Sequence, residues 1–393
     1  MPPARVLRSA VVVAVGLAVV VAVCRPLADR FFNDSKFLPP FDYLQYWAAG
    51  RLLLTGGDPY DADQLLALQE PAGWDRGQAV MMWNPPWALT LFAPAGLFPW
   101  RTGHLIWVLS QVGMAVGCGA ALWRLYGGRG AAPVVVLAAV SFFPTMYLVT
   151  SGQCSGWLVA GVTGFLAAVR TGRPWLAAVL AVAAVKPHLL LPVWLVLALD
   201  ATVSRRSRVL LGWGVLAGGL MAAAPLLADA GLWGKYLAAL GRPATAAHPP
   251  LSGWWPPLIG FWVRRALAPD QFWIQAVPTG LAVVGTAAYW WRRRAGWDWA
   301  AELPVLVLVG LLAAPYGAWP TDLVLLMVPL AAAAARLAHA PARVRLGFAA
   351  AYVVCNAVAL TGMSSEYFVW VTPAAGLGCW LAARTATRPL APR

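Results

Sequence analysis

The chain has 393 residues, 61% of them hydrophobic and 11% charged, with a net charge of +14 and a mean hydropathy of +0.67. Soluble domains carry about a quarter charged residues, so this composition excludes a soluble globular protein. The arginines fall in short clusters between apolar runs, which excludes a basic domain for nucleic acid.

Apolar runs of about 18 or more residues recur along the chain, and each is long enough to cross about 30 Å of hydrocarbon. The pattern predicts an all-α polytopic membrane protein, one integral membrane domain over 1–393. The first run, Ser9 to Pro26, follows Arg5 and Arg8 and ends without a small-x-small cleavage site, so a retained first transmembrane helix is expected over 9–27. An outer loop over 28–102 follows, then the remaining transmembrane helices over 103–384.

Inside that loop, Pro39-Pro40 precede Asp42, and Leu44, Trp47, Ala48, Arg51 and Leu52 recur at helical spacing. The spacing predicts an amphipathic helix lying on the membrane surface. Asp42 then has two readings. It caps this helix and complements its dipole, or it is a general base at the membrane boundary, where partial desolvation tunes its pKa. Tyr46, on the same helix, is a substrate-binding candidate. Gly56-Gly57 end the helix and Asp58-Pro59 start a turn; Asp58 is read chiefly as a turn former, with substrate contact as its second reading. Asp61 and Asp63 are expected to cap a short helix over Gln64 to Glu70. Trp83-Asn84-Pro85-Pro86-Trp87 opens an apolar stretch containing Pro94 and Pro99, expected at the interface. There, Asn84 and the tryptophans either line a sugar pocket or anchor the chain.

Further along, Gln153 in Thr150-Ser151-Gly152-Gln153 sits at an outer helix end. Lys186 and His188 interrupt an apolar run, and a lysine there needs an anion; a lipid-linked phosphate suits it, with snorkelling to the headgroups as the alternative. The run from Trp175 to Leu199 is read as a broken hairpin turning at Lys186-Pro187-His188, or else as one kinked span with the Asn84–Trp100 segment crossing fully. Arg264-Arg265 form a second candidate phosphate clamp or a headgroup contact. His248 lies in a Pro/Trp-rich loop read as a lid. Trp319 and Asp322 complete the outer set, while His104 and His339 look incidental. The cysteines, Cys24, Cys118, Cys154, Cys355 and Cys379, lie in or beside apolar segments with no metal-ligand spacing, so no metal and no cofactor are expected.

Clusters at Arg124/Arg129, Arg170/Arg173, Arg205-Arg206/Arg208, Arg292-Arg293-Arg294, Arg336/Arg343/Arg345 and Arg384/Arg388, placed together on the cytoplasmic side, give one topology of about twelve crossings. Nearly all the acids, with Lys186 and His188, then fall outside.

The stretches FDYLQYWAAGRLLLTGGDPYD, WNPPWALTLFAPAGLFPW, SGQCSGWLVAG, AVKPHLLLPVWLVL and LLAAPYGAWPTDLVLLMVPL, in that order, resemble the bacterial family-87 glycosyltransferases, relatives of polyprenol-phosphate-mannose-dependent mannosyltransferases. The last stretch departs from the family pattern: a Ser-Pro…Trp…His signature is expected, and this chain has Ala314-Pro315…Trp319…Asp322. The histidine of that signature has no counterpart at this place. The resemblance implies the membrane-embedded C-type glycosyltransferase (GT-C) fold, with juxtamembrane helices in the first outer loop and a catalytic acid near its start, matched by Asp42. It implies a polyprenyl-phosphate sugar donor, a glycolipid or glycan acceptor, inversion at the sugar carbon, and a bacterial cytoplasmic membrane location with the site facing outward. Lys186 and His188 match a donor-phosphate role. The competing classes are a lipid-linked-saccharide flippase or other transporter, against which no paired internal repeat is visible, and a scaffold subunit.

Overall fold

The computed structural model describes residues 25, 29–31, 33–34, 38, 40–130, 132–241 and 255–385. The expected first span over 9–27 (residue 25 apart) and His248 lie outside the described residues. Among the described residues all regular structure is helical. Three helices among the described residues are long and apolar enough to cross a membrane: Trp100–Leu125, Arg205–Leu227 and Ala342–Ala359. The pair Val134–Ser141 and Phe143–Ser151, bent by 54°, makes a fourth if it is one span. The expectation of about twelve crossings is therefore not met by helix length. The other apolar runs are cut into pieces such as Gly156–Thr171, Pro174–Val185 and Trp299–Ala313, each shorter than the roughly 20 residues a full crossing takes. Backbone broken in this way is tolerated at membrane depth where protein surrounds it. The Gly156–Thr171 helix meets that condition, with most of its residues buried.

The run around Lys186 follows this logic. Pro174–Val185 is a 3-10 helix, and Leu191–Val203 returns as an α-helix after the Lys186-Pro187-His188 turn. A single straight span over these residues would separate its ends by roughly 45 Å at about 1.5 Å per residue. Instead Pro174 and Arg205-Arg206 line the same small cavity. The two arms thus enter and leave on one side, as the hairpin reading expects. Glycines let the first arm pack closely against Gly156–Thr171: a Cβ on Gly161 would lie 2.7 Å from the Ala183 Cβ, and one on Gly164 2.5 Å from that of Val179. Small residues at helix contacts inside membranes serve this purpose.

Residues of the basic clusters find partners in the structure. Arg206 donates to the Val169 carbonyl, and Tyr126 lies within electrostatic reach of Arg170 and Arg336. Arg293 pairs with Glu302 at 2.9 Å, and Glu302 also accepts from Tyr289. Buried Asp200 accepts hydrogen bonds from Ser207, Trp290 and Trp299, tying its own helix to three others. Asp42, Gln153, Lys186 and Asp322 meet in a separate cluster.

The Tyr43–Thr55 helix overturns its sequence reading. It does not lie on a membrane surface: Tyr43 through Gly50, with Leu52 and Leu53, are buried in protein. Its apolar residues cover most of its sides because protein packs against all but the edge of Arg51, Leu54 and Thr55. Tyr43 stacks on His104 at 4.9 Å and Tyr46 on Trp107 at 5.3 Å, so His104 is a packing residue beneath this helix. Gly96 crosses the helix so closely that a Cβ would stand 2.4 Å from the Arg51 nitrogen. The helix ends at Gly56, whose φ of 81° is the left-handed cap a glycine supplies. Asp61 caps the next helix, Ala62–Gln69, accepting from the Asp63 and Gln64 amides.

Candidate functional site

The placement of Asp42 starts from Ser151-Gly152-Gln153. The Phe143–Ser151 helix terminates at Gly152, with φ 68°. A Cβ there would meet the Tyr43 Cβ at 2.7 Å and the Pro40 carbonyl oxygen at 2.9 Å, so only glycine lets the two chains touch. The Asp42 amide donates to the Ser151 carbonyl at 3.0 Å, and Trp107 Nε1 donates to the Gly152 carbonyl. The left-handed turn then throws the Gln153 side chain towards Asp42, and its Nε2 donates to Asp42 Oδ2 at 2.7 Å.

Asp42 makes no side-chain cap bond to its helix, so the capping reading fails. Oδ1 has no hydrogen-bond partner and is not buried. The residue is partly exposed, with its Oδ2 side held against protein by Gln153. Burial pushes the Asp42 carboxyl above its ordinary value, and the nearby Asp322 adds to this; the Gln153 hydrogen bond and the Lys186 charge pull the other way without cancelling it. A carboxylate held in this way is a stronger base than one in water.

Behind Gln153 lies a buried ionic cluster. Gln153 Oε1 accepts from Tyr46 OH and from Lys186 Nζ, both at 3.0 Å. Lys186 Nζ also donates to Asp322 Oδ1 at 2.6 Å and to Ser155 Oγ at 3.3 Å. Ser155 donates to Asp322 Oδ1, and the Trp319 amide to Asp322 Oδ2. The Trp319 contact needs a sharp turn, formed by Gly317 (φ 78°) and Ala318 (φ 51°) in succession. Left-handed backbone at a non-glycine is a strained state that a site can require.

Of the remaining candidates, Asn84 and His188 adjoin the Lys186 turn. Asn84 Nδ2 donates to the Val185 carbonyl and Trp87 Nε1 to the Ala184 carbonyl, so the Trp-Asn-Pro-Pro-Trp segment clamps the arm just before Lys186. His188, two residues on, is fitted against Gly317, and its Nε2 is buried without a partner. Asp58 accepts from the Tyr60 amide, a turn bond. Arg264 and Arg265 sit on Ile259–Leu267 over aromatic faces, Arg264 over Phe261 and Phe272, Arg265 over Trp255 and Trp262. Two members of the site escaped the sequence reading. Ser155 is one; its only signal is its place two residues after Gln153. The other is Arg76, an exposed arginine over Trp74 whose charge acts on Asp42; nothing in its loop marks it.

Among the described residues no three His, Cys, Asp or Glu side chains converge as metal ligands. The arrangement offers one partly open carboxylate oxygen backed by a rigid, internally neutralised ion pair. Such chemistry suits removal of a proton from a hydroxyl at a membrane boundary.

No curated protein and no solved structure matches the chain. The sequence model of glycosyltransferase family 87 matches residues 83–315. The match takes in Asn84, Gln153, Ser155, Lys186 and His188, while Asp42 and Asp322 flank it on either side. It sets the transporter and scaffold readings aside. Covering more than half of a chain whose long apolar helices mark it as a membrane protein, this match makes the chain a membrane glycosyltransferase that belongs to glycosyltransferase family 87.

Proposed function

We propose that this glycosyltransferase moves a sugar, mannose by its family resemblance, from a polyprenyl-phosphate donor to a hydroxyl of a glycolipid or glycan, with inversion and with Asp42 as the general base. The observation that carries the proposal is the Asp42 carboxylate. It leaves its helix uncapped, is held through Oδ2 by Gln153, and keeps Oδ1 unpartnered.

In this reading the acceptor hydroxyl gives its proton to Asp42 Oδ1 as its oxygen attacks the sugar C1. The bond from C1 to the phosphate oxygen breaks on the opposite face, its electron pair leaves with the polyprenyl phosphate, and the proton later passes from Asp42 to solvent. General-base assistance of this kind contributes about 10²–10⁴ in rate. His188, with its unpartnered Nε2, and the outer arginines, Arg264 and Arg265 among them, are proposed to meet the charge that grows on the phosphate. That leaving group is already a stable anion, so the reaction is proposed to run without a metal. The cluster is proposed to face the extracytoplasmic side of a bacterial cytoplasmic membrane, in keeping with the positive-inside rule.

The test is to incubate the purified protein with a panel of polyprenyl-phosphate sugars and candidate acceptors, and to detect released polyprenyl phosphate. Asp42→Asn is near-isosteric and its Oδ1 can still accept from Gln153, so folding and donor binding should persist while turnover falls by about 10²–10⁴. Turnover close to wild type in that variant would exclude Asp42 as the base.

A further inference from the structure

A buried lysine at the outer end of a membrane glycosyltransferase invites a phosphate-binding role, but its geometry here is already complete. An ammonium has three hydrogens and accepts nothing. Lys186 Nζ has three acceptors within reach: Asp322 Oδ1 at 2.6 Å, Gln153 Oε1 at 3.0 Å and Ser155 Oγ at 3.3 Å. The charge itself is neutralised by Asp322, which is fully buried. No hydrogen and no net charge remain for a phosphate.

We infer that Lys186 is a positioning residue for Asp42, acting through Gln153, and does not hold the donor phosphate. This rests on the reading of Asp42 as the base. The Gln153 amide is the link. Tyr46 OH can donate or accept, so Tyr46 alone would leave the amide free to turn over. Lys186 can only donate, so Oε1 must face it, and Nε2 must therefore face Asp42. Turned the other way, the amide would set N–H against ammonium and oxygen against carboxylate. Lys186 thus decides which oxygen of Asp42 is occupied and leaves Oδ1 for the acceptor. Asp322 completes the device: Oδ1 holds the ammonium, and the Trp319 amide and Ser155 hold Asp322. Each member sits on a different element, so the order Asp322–Lys186–Gln153–Asp42 runs from the protein interior to the reacting oxygen. The charged groups acting on Asp42 are Lys186, Asp322 and Arg76; Tyr46, Cys154 and Tyr316 complete the titratable surroundings.

The experiment compares Gln153→Glu and the charge-neutral double variant Lys186→Met/Asp322→Asn with wild type and Asp42→Asn. Polyprenyl-phosphate mannose is the donor, and kcat, donor KM and the pH profile are read. In Gln153→Glu the new carboxylate still accepts from Lys186 and Tyr46 but offers Asp42 no N–H, and it sets a second negative charge against Asp42. The acid-limb pKa of kcat/KM in this variant is expected to rise by about one unit or more, with donor KM within about threefold. The double variant keeps the cluster neutral and frees the amide, so kcat should fall at least about tenfold while donor KM stays within about threefold, the pattern of an interaction made only in the transition state. A rise in donor KM with kcat retained would assign Lys186 to the phosphate and overturn the inference, as would unchanged kcat and an unshifted profile. Asp42→Asn separates the two claims. If that variant turns over normally, the base assignment itself fails. If it is inactive while the Lys186 variants act on donor KM alone, only the positioning role fails.

Discussion

Removing one half of the Lys186–Asp322 pair should damage the fold more than removing both halves. The contact is 2.6 Å long, with Asp322 buried completely and Lys186 nearly so. At an effective dielectric of about 20, two unit charges at that distance attract by about 6 kcal/mol. Much of this is offset by the loss of hydration, but breaking such a pair from one side leaves an unpaired buried charge and costs about 3–5 kcal/mol. Lys186→Met leaves Asp322 with only Ser155 and the Trp319 amide. Asp322→Asn leaves the ammonium with neutral acceptors alone, Gln153, Ser155 and the new amide oxygen, and no counter-charge. A chain of this length loses about 1–2 °C of Tm per kcal/mol, so each single variant should unfold about 4–8 °C below wild type in one detergent. The double variant should lose less than either single, because with both charges gone neither is left buried and unpaired. Tryptophan-fluorescence melting of the four proteins completes the cycle. Additive losses, with the double variant as unstable as the two singles combined, would refute the ion pair and every role derived from it.

Three further outcomes follow from the same geometry. Asp42 works as a base only when ionised, and burial raises its pKa; kcat/KM should therefore fall as pH drops through a value above the ordinary carboxylate figure of about 3.9, and a profile flat down to about pH 4 would contradict this. Gly310→Ala should lower both Tm and turnover, because its Cβ would stand 2.3 Å from the Leu189 carbonyl oxygen and push the Lys186–His188 turn, at about 1–3 kcal/mol for an overpacked contact. Gly285→Ala, with open space around the new carbon, is the control and should melt at or slightly above wild type. Arg76→Gln should move the acid limb of kcat/KM upward, since the Arg76 charge pulls the Asp42 carboxyl down; an unshifted limb would remove Arg76 from the site.

Composition and charge spacing made the membrane class, the basic clusters and the turn at Lys186 legible, because those features depend on local hydropathy and on the cost of an ammonium in hydrocarbon. Span count was not legible. Apolar helices of 12 to 16 residues and full crossings share a composition, and only packing shows that Gly156–Thr171 is largely enclosed by protein. The Tyr43–Thr55 helix misled for a related reason. Its Arg51 and Thr55 mark one polar edge, but the opposite and flanking sides are equally apolar and equally buried, a pattern that membrane docking and core burial both satisfy. Within the site, Asp42, Gln153, Lys186 and Asp322 were each identifiable as polar residues at apolar boundaries. Their partnership was not, since separations of 111, 33 and 136 residues lie between the bonded members.

Asp42 and Asp61 show what the sequence leaves undecided. Both are aspartates opening a short helix in the same loop, and propensity treats them alike. Asp61 has φ −84° and ψ 122°, the extended conformation in which a cap side chain reaches the next amides, and it caps. Asp42 has φ −66° and ψ −18°, already helical, so its side chain points away from the helix start. Its helix does not need the cap. The Tyr43 amide donates to the Pro40 carbonyl and the Leu44 amide to the Phe41 carbonyl, so the backbone of the preceding turn meets the donors a cap would have met. The geometry that makes this possible includes a positive φ of 27° at Phe41, an uncommon state for that residue. Strain at one position thus releases a carboxylate at the next, and the released carboxylate is the one that Gln153 takes by a single oxygen. A relaxed Phe41 would return Asp42 to its helix, and the oxygen proposed to receive the acceptor's proton would be lost to a structural bond.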